Sequence, residues 1–126
     1  MTTGANIILG AVSALALVSA GAASAKPDCF FVNQWQGWKA ASPNVIYLRV
    51  NIGDIYRVDL SAGSEQLMYP DNHLVSVFRG TTTVCSPLDL QLAVSDGHGL
   101  KIPLIASRIT RLTPDEVAAI PRKYRP

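Results

Sequence analysis

Asn44-Val45-Ile46-Tyr47-Leu48-Arg49-Val50-Asn51-Ile52-Gly53-Asp54-Ile55-Tyr56-Arg57-Val58-Asp59-Leu60 is the stretch that decides the fold. Ile46, Leu48, Val50 and Ile52 alternate with Tyr47, Arg49 and Asn51. Side chains of an extended chain point to opposite faces in turn, so this alternation is that of a half-buried strand. Gly53-Asp54 reads as a two-residue turn, because glycine takes positive φ without steric cost. Beyond it Tyr56, Val58 and Leu60 share one face against Arg57 and Asp59. The segment is predicted to be a β-hairpin.

Working outward, Cys29-Phe30-Phe31-Val32 fits a short first strand. Asn33 to Ala41, with Trp35 and Trp38, is expected to form a single helical turn or an irregular loop. Downstream, Ser61 to Asn72 carries Gly63, Ser64, Pro70 and Asp71 and reads as a loop. Leu74 to Arg79 is a strand candidate, and Gly80-Thr81-Thr82-Thr83 leads into Val84-Cys85. Leu88, Leu90, Leu92 and Val94 then alternate with Asp89, Gln91 and Ser95. Asp96-Gly97-His98-Gly99 is a turn. Leu100, Ile102, Leu104 and Ala106 resume the pattern, with Pro103 marking an edge position or a bulge, and Ser107 to Leu112 is expected to continue that strand. Thr113-Pro114-Asp115-Glu116 is a capping box with proline at the first helical position, and Pro121 stops the helix it opens. Several short strands followed by one helix predict a mainly β chain: a small antiparallel sandwich or partly open barrel with one short C-terminal helix.

The chain has 126 residues, enough for one domain. Ile7 to Val18 is an uncharged apolar run of about 12 residues, shorter than the roughly 20 needed to cross a bilayer. It is followed by small residues ending Ala23-Ser24-Ala25, the pattern that signal peptidase reads, although Met1 to Asn6 lacks the usual Lys or Arg. Residues 1–25 are therefore expected to be a cleaved signal peptide and 26–126 a single exported domain with a short basic tail, periplasmic or secreted. No stable membrane span is expected after cleavage. The alternative is an uncleaved N-terminal anchor or a buried helix. The eleven Lys/Arg and nine Asp/Glu nearly balance, at a formal charge of +2. That is far from the dense basic surface of a nucleic-acid binder, so no nucleic-acid partner is expected.

Cys29 and Cys85 are the only cysteines. In an oxidising compartment two thiols permit one bridge, against the alternative of two separate buried thiols. Zinc-site spacing is absent. Asp71-Asn72-His73 and Asp96-Gly97-His98 place carboxylate and imidazole close together, which suits a metal, but aspartate beside turn residues more commonly bonds its own backbone. Neither a metal site nor a cofactor is expected. Ser86, His73 and Asp89 assemble into a triad only on paper, since no strained nucleophile turn surrounds Ser86. No catalytic residue is assigned. Trp35 and Trp38 are the candidate ligand-binding residues, as an aromatic platform for a sugar or peptide, weighed against service as core.

Asp28-Cys29-Phe30, the 44–60 hairpin, Val84-Cys85-Ser86-Pro87-Leu88-Asp89 and Ile109 to Glu116 through Pro121 resemble an uncharacterised family of short exported bacterial proteins, domain of unknown function 6491. The likeness covers essentially all of residues 26–126 and implies export and domain extent, with no activity attached. Members of that family often carry two further cysteines, near Ser64 and near Ile105. If each couple is a bridge, the resemblance implies that Cys29 and Cys85 pair; a first-with-last, second-with-third pattern would instead orphan both. The expected role is a non-enzymatic cell-envelope module, binding or structural, with an envelope partner or ligand the sequence does not identify. The alternative is a small envelope enzyme or metal-binding protein using His73 or His98.

Overall fold

The computed structural model describes residues 29–77 and 82–126, together with the isolated Gly4. The expected signal peptide lies outside the described residues. So does the end of the strand expected at Leu74 to Arg79.

The 44–60 hairpin forms as read. Strands β3 (Val45–Val50) and β4 (Asp54–Ala62) pair antiparallel, with Ile46 opposite Val58 and Leu48 opposite Tyr56. Ile46, Leu48, Val50, Tyr56, Val58 and Leu60 are all buried on one face. The turn differs from the expectation. Val50 pairs with Asp54, leaving a three-residue loop, Asn51-Ile52-Gly53, in which Asn51 takes a left-handed φ of 54°. Asparagine tolerates that region because its side chain bonds locally. Ile52 therefore leaves the apolar face and stands 98% exposed at the tip.

Around this hairpin, β2 (Trp35–Ser42), β5 (His73–Ser76), β7 (Gln91–Ser95) and β8 (Lys101–Arg111) complete a six-stranded antiparallel sheet of order β2-β3-β4-β8-β7-β5. The sheet curls into a nearly closed barrel. Of the two architectures expected, the partly open barrel is the one found. A second sheet pairs β1 (Phe30–Phe31) with β6 (Thr83–Val84). Phe30 and Val84 join the same core as the hairpin, and the Phe30 and Tyr56 rings lie 4.8 Å apart, centroid to centroid.

Three further departures have physical causes. Of Asn33 to Ala41, only Asn33 and Gln34 are helical, closing a 3-10 turn at Val32–Gln34; from Trp35 onward the segment is strand β2 and not a loop. Gly37, Ala40 and Ser42 are weak strand formers, but pairing with the buried hairpin overrides propensity. Leu88 does not join the apolar row of β7. Pro87–Asp89 is a 3-10 turn, where the Asp89 carboxylate accepts from the backbone N–H groups of Cys85 (3.0 Å) and Ser86 (3.1 Å), and Leu88 is 87% exposed. The Ser61 to Asn72 loop contains a 3-10 turn, Glu65–Met68, capped by Ser64. Asn72, buried, donates through Nδ2 to the Gln66 carbonyl at 2.8 Å and fixes the approach to β5.

Pro103 behaves as expected. The pairing of β8 with β4 stops at Ile105 opposite Ala62, so Pro103 has β7 alone as a neighbour and occupies an edge-like position inside a central strand. The helix α1 (Pro114–Ala119) also follows the sequence: Thr113 Oγ1 accepts from the Glu116 N–H, and Glu116 Oε1 accepts from the Thr113 N–H.

Cys29 and Cys85 form a disulfide, with their Cα atoms 4.3 Å apart beside the Phe30–Val84 pair. Both cysteines are exposed. The bridge spans a sequence separation of 56. Closing such a loop in the unfolded chain stabilises the fold by about 4 kcal/mol in the chain-entropy model, an upper value. A structural disulfide suggests an oxidising, extracellular-type compartment. No helix among the described residues is long and apolar enough to cross a membrane.

Candidate functional site

Directly opposed residues of paired strands share a face. The register therefore lays out the outer surface of the hairpin half of the barrel. Lys39, Tyr47, Arg57 and Thr110 form one row across β2, β3, β4 and β8. Val45, Asp59 and Arg108 form the next row, and Gly37, Arg49 and Ile55 another. Four cations thus face outward around one tyrosine, with Asp59 as the single acid among these rows.

Over this face lies the C-terminal segment. The Leu112 N–H donates to the Ile55 carbonyl at 2.9 Å, carrying the chain off β8, and α1 follows. Ile120 is 4% exposed and anchors the segment. A final 3-10 turn, Arg122–Tyr124, lies against β2. Arg125 does not trail into solvent: its Nε donates to the Ile120 carbonyl (2.8 Å) and its Nη2 to the Ala118 carbonyl (2.7 Å). Those carbonyls are among the ones a helix end leaves unsatisfied, and a cation there also complements the helix dipole.

Between sheet and roof runs an open groove of about 880 Å³. Tyr47, Arg57, Asp59, Arg108 and Thr110 supply its floor, and Glu116 with Ile120 the roof side. Arg57 holds Asp59 through Nε (3.1 Å) and Nη2 (3.0 Å), both on Oδ1. The Asp59 hydrogen bond raises the Arg57 pKa, with smaller help from Tyr47, so Arg57 stays charged at any physiological pH. Arg108, Arg49 and Lys39 have no ion-pair partner among the described residues. The groove therefore offers fixed positive charge, free acceptor oxygens on Asp59 and Glu116, hydroxyls and one aromatic ring.

The residues singled out from sequence are placed elsewhere. Trp35 and Trp38 are partly buried and pack against the core. Three positions apart, they would face opposite ways in a regular strand, but a bulge between Trp35 and Gly37 sets them opposite Val50 and Leu48, which both point inward. The Trp35 Nε1–H is used within the bulge, donating to the Gly37 carbonyl at 2.9 Å. They lie on the face opposite the groove. His73 and His98 are both exposed, at the same end of the sheet, since His73 pairs with Ser95. Asp96 is taken up by its own turn, where Oδ1 accepts from the His98 N–H (2.7 Å) and the Leu100 N–H (3.0 Å). Among the described residues no group of three or more His, Cys, Asp or Glu side chains is placed to hold a metal ion. The Ser86 hydroxyl donates to Asp89 at 3.4 Å, and that carboxylate serves the 3-10 turn. Cys29 and Cys85 are spent in the disulfide.

A second groove, of about 470 Å³, runs over the outer face of β7 and β8 among Leu88, Ala93, Pro103 and Ile105. It is apolar, and Ile105 is 59% exposed there. No family model, curated protein or solved structure matches this chain.

Sequence reasoning passed over the groove's residues. Their signal was the hairpin's own alternation, which puts Tyr47, Arg49, Arg57 and Asp59 on the face away from the core. What the pattern does not contain is that β8 adds Arg108 and Thr110 to that face and that the tail folds over it.

Proposed function

We propose that this chain is a non-enzymatic module exported to the cell envelope, where it binds a ligand in the roofed groove on the outer face of the hairpin. The observation that carries the reading is the groove itself: a concave surface of ligand-pocket size with an arginine on its floor, Arg108, that has no ion-pair partner among the described residues. Export is supported by the leader pattern of residues 1–25 and by the Cys29–Cys85 disulfide. A binding role rather than a catalytic one is supported by the state of the polar groups. Asp59 is paired with Arg57, and the Asp89 and Asp96 carboxylates are committed to backbone N–H groups. Among the described residues no nucleophile, base and orienting acid meet in the groove.

The test is an NMR titration of ¹⁵N-labelled protein, purified with its disulfide intact, against a soluble envelope extract. Shifts clustered at Tyr47, Arg57, Arg108, Thr110 and Ala119 are expected. An extract that leaves these amides unmoved would overturn the reading. The export claim is checked separately: the mass of the processed chain begins at Lys26, and full-length chain confined to the cytoplasm would refute it.

A further inference from the structure

We infer that the roofed groove takes a carboxylate-bearing oligosaccharide, a chain of uronic acid units, with Arg108 as the residue that holds the carboxylate. The inference rests on the proposed binding role and names its ligand class.

Charge comes first. Arg57 and Arg108 are diagonal neighbours on β4 and β8, since Arg57 opposes Thr110 and Arg108 opposes Asp59. Diagonal positions on an antiparallel pair lie roughly 7 Å apart. Arg57 spends Nε and Nη2 on Asp59, whereas Arg108 has no ion-pair partner among the described residues and so offers its planar fork to a ligand. A guanidinium fork matches a planar carboxylate with two parallel hydrogen bonds.

The acids in the groove then narrow the class. Asp59 and Glu116 each have one carboxylate oxygen committed, Asp59 Oδ1 to Arg57 and Glu116 Oε1 to the Thr113 N–H, and the second oxygen remains available. A dianionic phosphate brought beside two carboxylates meets like charge at short range. A ligand with a single carboxylate per unit puts a smaller charge there, so the repulsion is weaker, and it brings many hydroxyl donors. It gives its anion to Arg108 and its O–H groups to the two acids. Carboxylates only accept hydrogen bonds, and sugar hydroxyls are the natural donors to them.

The remaining lining fits the same ligand. The Ser107 hydroxyl donates to the Asp59 carbonyl at 3.1 Å and keeps its lone pairs free to accept. Tyr47 presents an amphipathic ring, able to lie along the apolar face of a pyranose while its hydroxyl stays wet. A volume of about 880 Å³, open along its length, has room for more than one sugar unit.

The experiment is an NMR titration of the disulfide-bonded protein with trigalacturonate, maltotriose, monomeric galacturonate and inorganic phosphate. Trigalacturonate should shift the groove amides and bind at least ten-fold more tightly than the neutral maltotriose. Monomeric galacturonate should reach the same amides more weakly, which separates a polymer ligand from a free sugar acid. Arg108→Gln should lower trigalacturonate affinity ten-fold or more, with partial recovery in Arg108→Lys. Lys101→Gln, an exposed cation at the far end of β8, should leave it unchanged. Equal binding of phosphate, an Arg108→Gln variant as tight as the parent, or an equal loss in Lys101→Gln would each overturn the assignment. If trigalacturonate fails while envelope extract still moves the groove amides, the ligand class is wrong and the binding site stands. If neither moves them, both readings fall.

Discussion

The β3–β4 hairpin and the roof that crosses its outer face are held by different physics. The hairpin sits mid-sheet, and six of its side chains are buried in one continuous core. Its stability is apolar area removed from water, which couples it to every other strand. The roof, residues 112 to 126, has one buried anchor, Ile120, and otherwise depends on the Thr113–Glu116 capping box and on Arg125 folded back onto α1. A segment with few buried contacts opens at lower free energy than the core beneath it. The contrast places the groove's floor on the well-buried hairpin and its wall on the lightly anchored roof.

The disulfide sharpens this contrast most. The bridged loop, from Cys29 to Cys85, encloses the hairpin and excludes the roof. A Cys29→Ala, Cys85→Ala double variant should lose up to about 4 kcal/mol of global stability in denaturant unfolding. Its roof amides should still exchange through the same local opening as before. Unchanged global stability would show that the bridge contributes nothing to the hairpin half.

Leu48→Ala comes next. Leu48 is fully buried opposite Tyr56, and truncation should cost about 3 kcal/mol, from lost transfer energy plus the cavity left behind. The loss should appear as one cooperative shift of all probes. Roof amides that stay protected while the hairpin melts would break the claimed dependence of roof on floor.

For the roof alone, Thr113→Ala removes the cap that accepts the Glu116 N–H. The expected cost is about 1 kcal/mol, confined to hydrogen exchange of α1, with little change in the global midpoint. A global shift as large as that of Leu48→Ala would mean that the roof belongs to the core after all.

The same difference explains what was legible in the sequence. The hairpin and β8 were readable because burial on one face imposes period two, and the α1 capping box because its hydrogen bonds are local. Strand β2 was not readable: its bulge between Trp35 and Gly37 breaks the alternation, and its strand character comes from the partner it pairs with. Asn51, not Gly53, carries the positive φ of the tip, because the loop has three residues rather than two. The groove was half legible. Tyr47, Arg57 and Asp59 followed from the hairpin alone. Arg108 required the β4–β8 register across a long sequence separation, and the roof required knowing that Arg125 turns back. A one-dimensional pattern records which way a side chain points, not which distant strand it will stand beside.

The turn joining β7 to β8 offers the smallest and most local test, since it is held chiefly by one charge, with the Ser95 hydroxyl accepting the Gly97 N–H at 3.1 Å beside it. Asp96 accepts the His98 and Leu100 N–H groups, and the first of these is the chief cause that lowers its pKa below the ordinary aspartate value. Gly97 and Gly99, at φ 75° and 104°, let the backbone bring both donors to one oxygen. The sign follows from linkage: a carboxyl whose folded pKa is depressed stabilises the fold above its unfolded value and loses that contribution as pH falls through the folded one. The His98 and Leu100 amide shifts should therefore titrate together, with a midpoint below the unperturbed aspartate value. The α1 amides bonded to the neutral Thr113 oxygen atoms should not share that midpoint. Asp96→Asn should abolish the coupled titration while leaving the hairpin register intact. A midpoint at or above the unperturbed value would show that the two N–H groups do not hold the carboxylate, and the turn would then owe its shape to its glycines and to the Ser95 hydroxyl.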